Sequence, residues 1–256
     1  MLKWAIDDFR ARGIETPRLD AELLLSKALA ATRIQLIVDA KRPLAPGELA
    51  RMRDFVRRRR TREPVAYILG EREFYGRPFR VDARVLVPRP DTETLVDVAL
   101  ERSRPVSLSM RALDLCTGSG CVAVSLARER PTATVLATDV SPGALAVARD
   151  NALRLGAYNV AFREGDLYAA VDGGRHFDVI ASNPPYIALE EIPSLAPEIR
   201  EHEPRLALEA GDDGLALLRR VVDGAPAHLV PGGVLAVEVG AGEAGEVAKL
   251  FETAGF

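Results

Sequence analysis

Between residues 112 and 254 the chain alternates short apolar runs with longer amphipathic stretches, and no other feature of the sequence constrains the fold as tightly. Strands are read at 112–115, 134–138, 160–162, 178–181 and 234–239, with helices at 91–102, 121–130, 142–155, 213–227 and 243–254. Near-continuous apolar strands separated by helices imply a parallel sheet covered on both faces, hence an α/β, doubly wound architecture. Residues 1–72 follow a different rule. Apolar side chains recur there at three- and four-residue spacing (Leu19, Leu23, Leu24; Leu49, Met52, Phe55, Val56), and Pro17 and Pro46 stand where first-turn prolines are tolerated. This predicts a helical domain of about four helices over 1–72. Segment 73–90 holds two aromatic or β-branched runs separated by Asp82-Ala83-Arg84 and reads as a β-hairpin connector, with the sheet domain over 91–256.

Composition narrows the class. At 256 residues, 48% hydrophobic and 28% charged, the chain can bury a real core and matches neither disordered nor fibrous sequences. No window reaches 18 apolar residues, and Met1 to Asp8 lacks a basic end followed by an apolar run, so a cytoplasmic protein with no membrane association is expected. Cys116 and Cys121 lie five residues apart around a glycine-rich segment and are read as packing residues. The net charge of −3 hides an asymmetry: residues 1–72 hold 16 Lys+Arg against 10 Asp+Glu, the remainder 18 against 27. Much of the excess is Arg51, Arg53, Arg57, Arg58, Arg59, Arg60 and Arg62, read as a solvated helix face, with steering of an acidic protein or RNA as the alternative.

Candidate chemistry clusters at predicted strand ends. The first strand runs through Asp114 into Cys116-Thr117-Gly118-Ser119-Gly120, a glycine-rich turn that opens a helix. In open α/β sheets such a turn walls the ligand crevice, although Gly118-x-Gly120-x-x-Ala123 alone also fits a tight strand–helix junction or a dinucleotide site. Asp139 closes the second strand, where an acid can hold ribose hydroxyls, and Ser141 before Pro142 can cap the next helix in its place. Asp166 follows the third strand, placed to accept from an adenine amino group while Leu167 packs on the ring. The sharpest signal is Asn183-Pro184-Pro185-Tyr186 after the fourth strand. Two prolines stiffen the backbone and remove two N–H donors, leaving carbonyl acceptors. The Asn183 side-chain oxygen and the Pro184 carbonyl can each accept one N–H of a planar NH2 group, and Tyr186 can pack flat against it. Walker-type and nucleophile-elbow motifs are absent, and His176, His202 and His228 lack metal-ligand spacing, so no metal site is expected.

With those residues in view the chain resembles the HemK/PrmC family of glutamine N5-methyltransferases, which act on class-1 peptide chain release factors. The resemblance covers the helical N-terminal part, Phe74-Tyr75-Gly76 through Val87-Pro88-Arg89-Pro90-Asp91-Thr92-Glu93, Asp114 to Gly120, Asn183 to Tyr186, and His202-Glu203-Pro204-Arg205. It implies a class I methyltransferase fold (a Rossmann-like doubly wound sheet) behind an N-terminal helical bundle for substrate recognition. The implied cofactor is S-adenosyl-L-methionine, with Asp114 and Cys116, Thr117, Gly118, Ser119 and Gly120 at its methionine end, Asp139 at the ribose, and Asp166 and Leu167 at the adenine. Asn183, Pro184, Pro185 and Tyr186 are implied to be catalytic and to hold the glutamine of the release factor's Gly-Gly-Gln tip, with Leu86 and Arg89 bordering the methionine and glutamine pockets. An alternative role for Arg89 is an ion pair with Glu93 four residues on.

The sequence departs from the family pattern in three places. Asp91 stands where glutamate is more frequent. Cys116 replaces a frequent glycine, and no positive φ is expected there. The chain stops at Phe256, where the family usually adds an antiparallel strand pair that is here expected to be missing. Rival readings are a glutamine methyltransferase acting on a ribosomal protein, an adenine N6 methyltransferase of nucleic acid, and a non-enzymatic binding module. The acidic sheet domain argues against direct nucleic-acid binding, and a monomer is expected.

Overall fold

The structure is a computed structural model describing residues 1–103, 108–174 and 176–256, in two compact units: Met1–Gly70 with Ala196–His202, and Glu71–Leu195 with Glu203–Phe256. No described helix is long and apolar enough to cross a membrane.

The first unit contains α1 (Leu2–Ala11), α2 (Pro17–Leu29), α3 (Arg33–Val38), α4 (Pro46–Arg60) and α5 (Val65–Leu69), one helix more than periodicity predicts. The extra one is α3, whose six residues are too few to display a period; a capping box between Thr32 and Gln35 starts it instead. Pro17 and Pro46 open their helices, where a missing N–H costs nothing. Phe9, Leu24, Met52, Val56 and Ile68 form the core of this unit.

The arginine run is a solvated face only in part: Arg51, Arg53 and Arg57 are exposed, whereas Arg58, Arg59, Arg60 and Arg62 are buried or partly so. Arg59 is buried between Asp20 and Glu198, at 2.8 Å from each. Arg60 pairs with Asp8 at 2.6 Å, Arg58 with Glu63, and Arg62 with Glu198 at 3.2 Å, while Arg51 donates twice to the Ala28 carbonyl. Arginine's long apolar stem and forked donors suit it to such partly buried pairs, so charge counted along the sequence overstates what reaches solvent.

The second unit begins with a hairpin of β1 (Glu71–Phe74) and β2 (Arg77–Arg80). The turn falls at Tyr75-Gly76 rather than at residues 82–84, and residues 81–91 form no strand. Both turn residues have positive φ (51° and 70°), as a two-residue hairpin of the favoured twist demands. Asp82-Ala83-Arg84 instead closes on itself, Asp82 accepting from the Arg84 backbone and guanidinium.

The remaining elements are α6 (Thr92–Arg102), β3 (Arg111–Leu115), α7 (Cys121–Glu129), β4 (Thr134–Asp139), α8 (Pro142–Leu155), β5 (Val160–Glu164), β6 (Phe177–Ser182), α9 (Pro197–His202, folded with the first unit), α10 (Ala216–Gly224), β7 (Leu229–Val237) and α11 (Ala244–Ala254). All five strands from β3 onward run parallel in the order β5-β4-β3-β6-β7, the doubly wound sheet that the alternation implies. Two boundaries shift from expectation. β7 starts at Leu229, with an irregular register between Phe177 and Val179 of its neighbour, and α10 starts at Ala216 and gives way to a 3-10 turn at Ala225–Ala227. Strand side chains alternate between two cores. Ala112, Val135, Ala137, Val179 and Ala181 pack under α6, α7 and α8, whereas Leu113, Leu115, Leu136 and Ile180 pack under α10 and α11.

Candidate active site

The chain winds outward from β3 through β4 to β5, then returns to place β6 on the other side of β3. Strand order therefore reverses between β3 and β6, and a crevice opens beyond their carboxyl ends, where open α/β sheets bind ligands. A cavity of about 460 Å³ lies there, within the range of about 300–1,000 Å³ usual for small-molecule sites.

The turn after β3 forms one wall. Cys116, Thr117, Gly118 and Ser119 line the cavity together with Asp114, but Gly120 does not. Gly120 serves packing instead: with φ at 80°, a Cβ on it would sit 3.0 Å from the Cβ of Ala148 in α8. Cys116 adopts φ of 59°, contrary to expectation. The left-handed residue redirects the chain at the strand end so that the Thr117 N–H reaches the Thr138 carbonyl at 3.0 Å, a bond that sequence does not display. Burial pushes the Cys116 and Cys121 thiols up to about 12, so neither is poised as a nucleophile. Asp114 is fully buried and accepts from Thr117 Oγ1 at 2.6 Å and from the Ala123 N–H at 3.1 Å, bracing both ends of the turn.

Asp139 and Asp166 stand at the ends of β4 and β5, and both line the cavity. Asp139 accepts the Gly118 N–H and the Ser141 N–H, each at 2.9 Å, while Ser141 caps α8. Burial raises the Asp139 carboxyl, opposed by those backbone donors, and each oxygen retains a lone pair for a further donor. Asp166 pairs with Arg220 of α10 at 2.7 Å, a cavity residue that sequence reasoning missed because nothing in its own stretch of helix marks it. Leu167 lines the cavity with φ at 48°, a second strained non-glycine residue beside the first.

The opposite wall is the end of β6. Asn183 and Pro185 line the cavity; Pro184 and Tyr186 do not, and Tyr186 is half-buried with its hydroxyl pKa raised by that burial. Asn183 Nδ2 donates to Thr92 Oγ1 at 3.1 Å. Leu86 and Arg89 line the same cavity from the segment after the hairpin. Arg89 does not pair with Glu93: it donates to Glu203 at 2.6 Å, and Glu93 accepts the Tyr75 N–H at 2.8 Å. The helix starts only at Thr92, so the four-residue spacing that would have joined Arg89 to Glu93 does not exist there. Residues 204–210 complete the rim, tied down where the Ile187 N–H donates to the Leu208 carbonyl and the Ala210 N–H donates to the Ile187 carbonyl, just after the proline pair.

The arrangement brings two carboxylates and an apolar strip (Val140, Leu167, Leu217) into one cavity with Asn183 and Pro185. Carboxylates can accept from sugar hydroxyls, an apolar strip can pack on a flat ring, and an asparagine side chain can accept from an NH2 group. Residues 92–205 match the family description "Methyltransferase small domain" and residues 1–70 "PrmC N-terminal domain", which puts the chain among methyltransferases. A curated relative from Geobacter sulfurreducens, named release factor glutamine methyltransferase, is 46% identical over all of this chain and 88% of its own length. One of the same name from Cereibacter sphaeroides is 47% identical over 99% of this chain and 89% of its own. The chain belongs to the release factor glutamine methyltransferase family. The fold is also shared with a solved methyltransferase from Pyrococcus furiosus, at a TM-score of 0.50 and 22% identity, covering 71% of this chain and 80% of that one.

Proposed function

We propose that the protein transfers a methyl group from S-adenosyl-L-methionine to the side-chain amide nitrogen, N5, of the glutamine in the Gly-Gly-Gln motif of class-1 peptide chain release factors. The observation that carries this reading is that Asn183 and Pro185, at the end of β6, line one cavity with Asp139 and Asp166. The bound cofactor supplies an electrophilic methyl carried on a sulfonium. Asp139, already ordered by two backbone donors, holds the ribose hydroxyls, and Asp166 with Leu167 holds the adenine. Asn183 Oδ1 accepts an N–H group of the substrate amide, which orients its nitrogen for in-line attack. An amide nitrogen is a weak nucleophile, so an oxygen that favours the positive charge developing on it would lower the barrier; the N–C bond would form as the S–CH3 bond breaks, leaving the donor as the neutral thioether, and the amide proton would pass to solvent afterwards. Tyr186, half-buried and outside the cavity lining, stiffens the far side of the proline pair.

Residues 1–72 are proposed to recognise the protein substrate, with 73–90 as connector and 91–256 as the methyl-transfer domain. The test is incubation with methyl-labelled cofactor and, separately, release factor, ribosomal protein and duplex DNA. Label is expected on the release factor and absent from one whose tip glutamine is changed to alanine. Label confined to the ribosomal protein or to DNA overturns the assignment.

A further inference from the structure

The two ends of an asparagine amide are nearly the same size, so packing alone does not choose which one faces the cavity. Acceptance of a substrate N–H requires the oxygen there, and the neighbours of Asn183 supply the choice. On one side its Nδ2 donates to Thr92 Oγ1, and Thr92 is almost fully buried at the start of α6. On the other side Glu238 follows the last residue of β7, and its N–H donates to the Ser182 carbonyl at 3.0 Å, which sets Glu238 beside the residue that precedes Asn183. Thr92 and Asn183 both draw the Glu238 carboxyl toward its charged form, against a larger opposing effect of burial. Oxygen Oε2 of Glu238 is buried with no hydrogen-bond partner. A buried acceptor left in that condition destabilises the fold.

We propose that Glu238, together with Thr92, is a positioning residue that fixes the Asn183 amide with its NH2 turned toward α6 and β7 and its Oδ1 turned toward the cavity. The polarity runs one way. Thr92 Oγ1 accepts from Asn183, which leaves the hydroxyl proton free to face the carboxylate. Turning the amide over would set the Asn183 carbonyl toward the Glu238 carboxyl; the Thr92 hydroxyl, able to donate as well as accept, does not by itself oppose that turn. It would also present donors to a substrate that itself offers donors. Glu238 is absent from the cavity lining, so it acts through Asn183 and does not touch the reacting nitrogen.

This inference rests on the methyl-transfer reading above, and it is tested with Glu238→Leu, Thr92→Val and Thr92→Ser in the full chain. Turnover, the KM for release factor, cofactor affinity and the melting temperature are measured for each. Glu238→Leu and Thr92→Val are expected to lower kcat at least about 10-fold, with KM and cofactor affinity within about two-fold of wild type. Thr92→Ser, which keeps the hydroxyl, restores most of the turnover. Glu238→Leu melts no lower than wild type, because it removes a buried oxygen that has no partner. Wild-type kcat in Glu238→Leu, or a loss matched by lost cofactor affinity or by a fall in melting temperature, overturns the proposal. If the wild-type protein fails to methylate release factor, the reading above fails and this inference falls with it. An active wild type with an equally active Glu238→Leu counts against this inference alone.

Discussion

Asp114 shows how burial sets the state of a single side chain. It is 1% exposed, and that burial pushes its carboxyl up to about 7, opposed by the Thr117 hydroxyl and the Ala123 N–H. An unfolded aspartate titrates near about 4, so between roughly pH 4 and 7 the native protein holds a proton that the unfolded chain has released. Stability from this group is complete below that window and is lost as pH rises through it. Asp114→Asn keeps an oxygen for Thr117 and Ala123 and imitates the protonated form. Denaturant unfolding at several pH values is expected to show a wild type that weakens from pH 5 to 8 by an amount on the order of a few kcal/mol, and a flatter Asn variant. Equal slopes would contradict the raised carboxyl. The residue types of this site were legible in the sequence: Asp114, Asp139, Asp166 and Asn183 stand in one cavity. Their partners were not. The Asp139–Gly118 bond spans 21 residues and the Asn183–Thr92 bond 91, and no local pattern encodes contacts of that span. The left-handed conformations of Cys116 and Leu167 escaped for a related reason: the surrounding fold imposes them on residues that do not favour them.

At the scale of elements, periodicity carried the reading well where runs were long. The helix Pro142–Leu155 falls where the sequence puts it, proline and serine marking its start and Gly156 its end. Short pieces were hidden. The six-residue α3 and the Tyr75-Gly76 turn lie below the length at which a period or a strong turn signal emerges, since Tyr-Gly is not among the dipeptides that announce a hairpin. Gly120 belongs to this scale as well, because its missing side chain is what allows α7 and α8 to meet. Gly120→Ala would set a Cβ 3.0 Å from Ala148 Cβ and 3.2 Å from its Cα, at a φ that alanine resists. The expected cost is about 2–4 kcal/mol, read as a lowered denaturant midpoint. A midpoint within experimental error of wild type would contradict the close-packing account of this glycine.

For the molecule as a whole, the positive charge of the first 72 residues is less available than its count suggests, because Arg58, Arg59, Arg60 and Arg62 are engaged within their own unit. Recognition of a protein partner therefore cannot be read from net charge, whereas the methyl-transfer chemistry can be traced to one strand end. In the second unit a doubly wound sheet reverses order between β3 and β6, and that reversal brings Asp139, Asp166 and Asn183 to one cavity. The central claim is that the Asn183 oxygen holds the amide to be methylated and does little for the cofactor. The most direct measurement compares wild type and Asn183→Ala for release-factor turnover and for cofactor affinity by calorimetry. Turnover is expected to fall by about 100-fold or more, as when a site loses one atom that stabilises developing charge, while the cofactor Kd stays within about three-fold. Unchanged turnover, or a loss explained entirely by weaker cofactor binding, would contradict it.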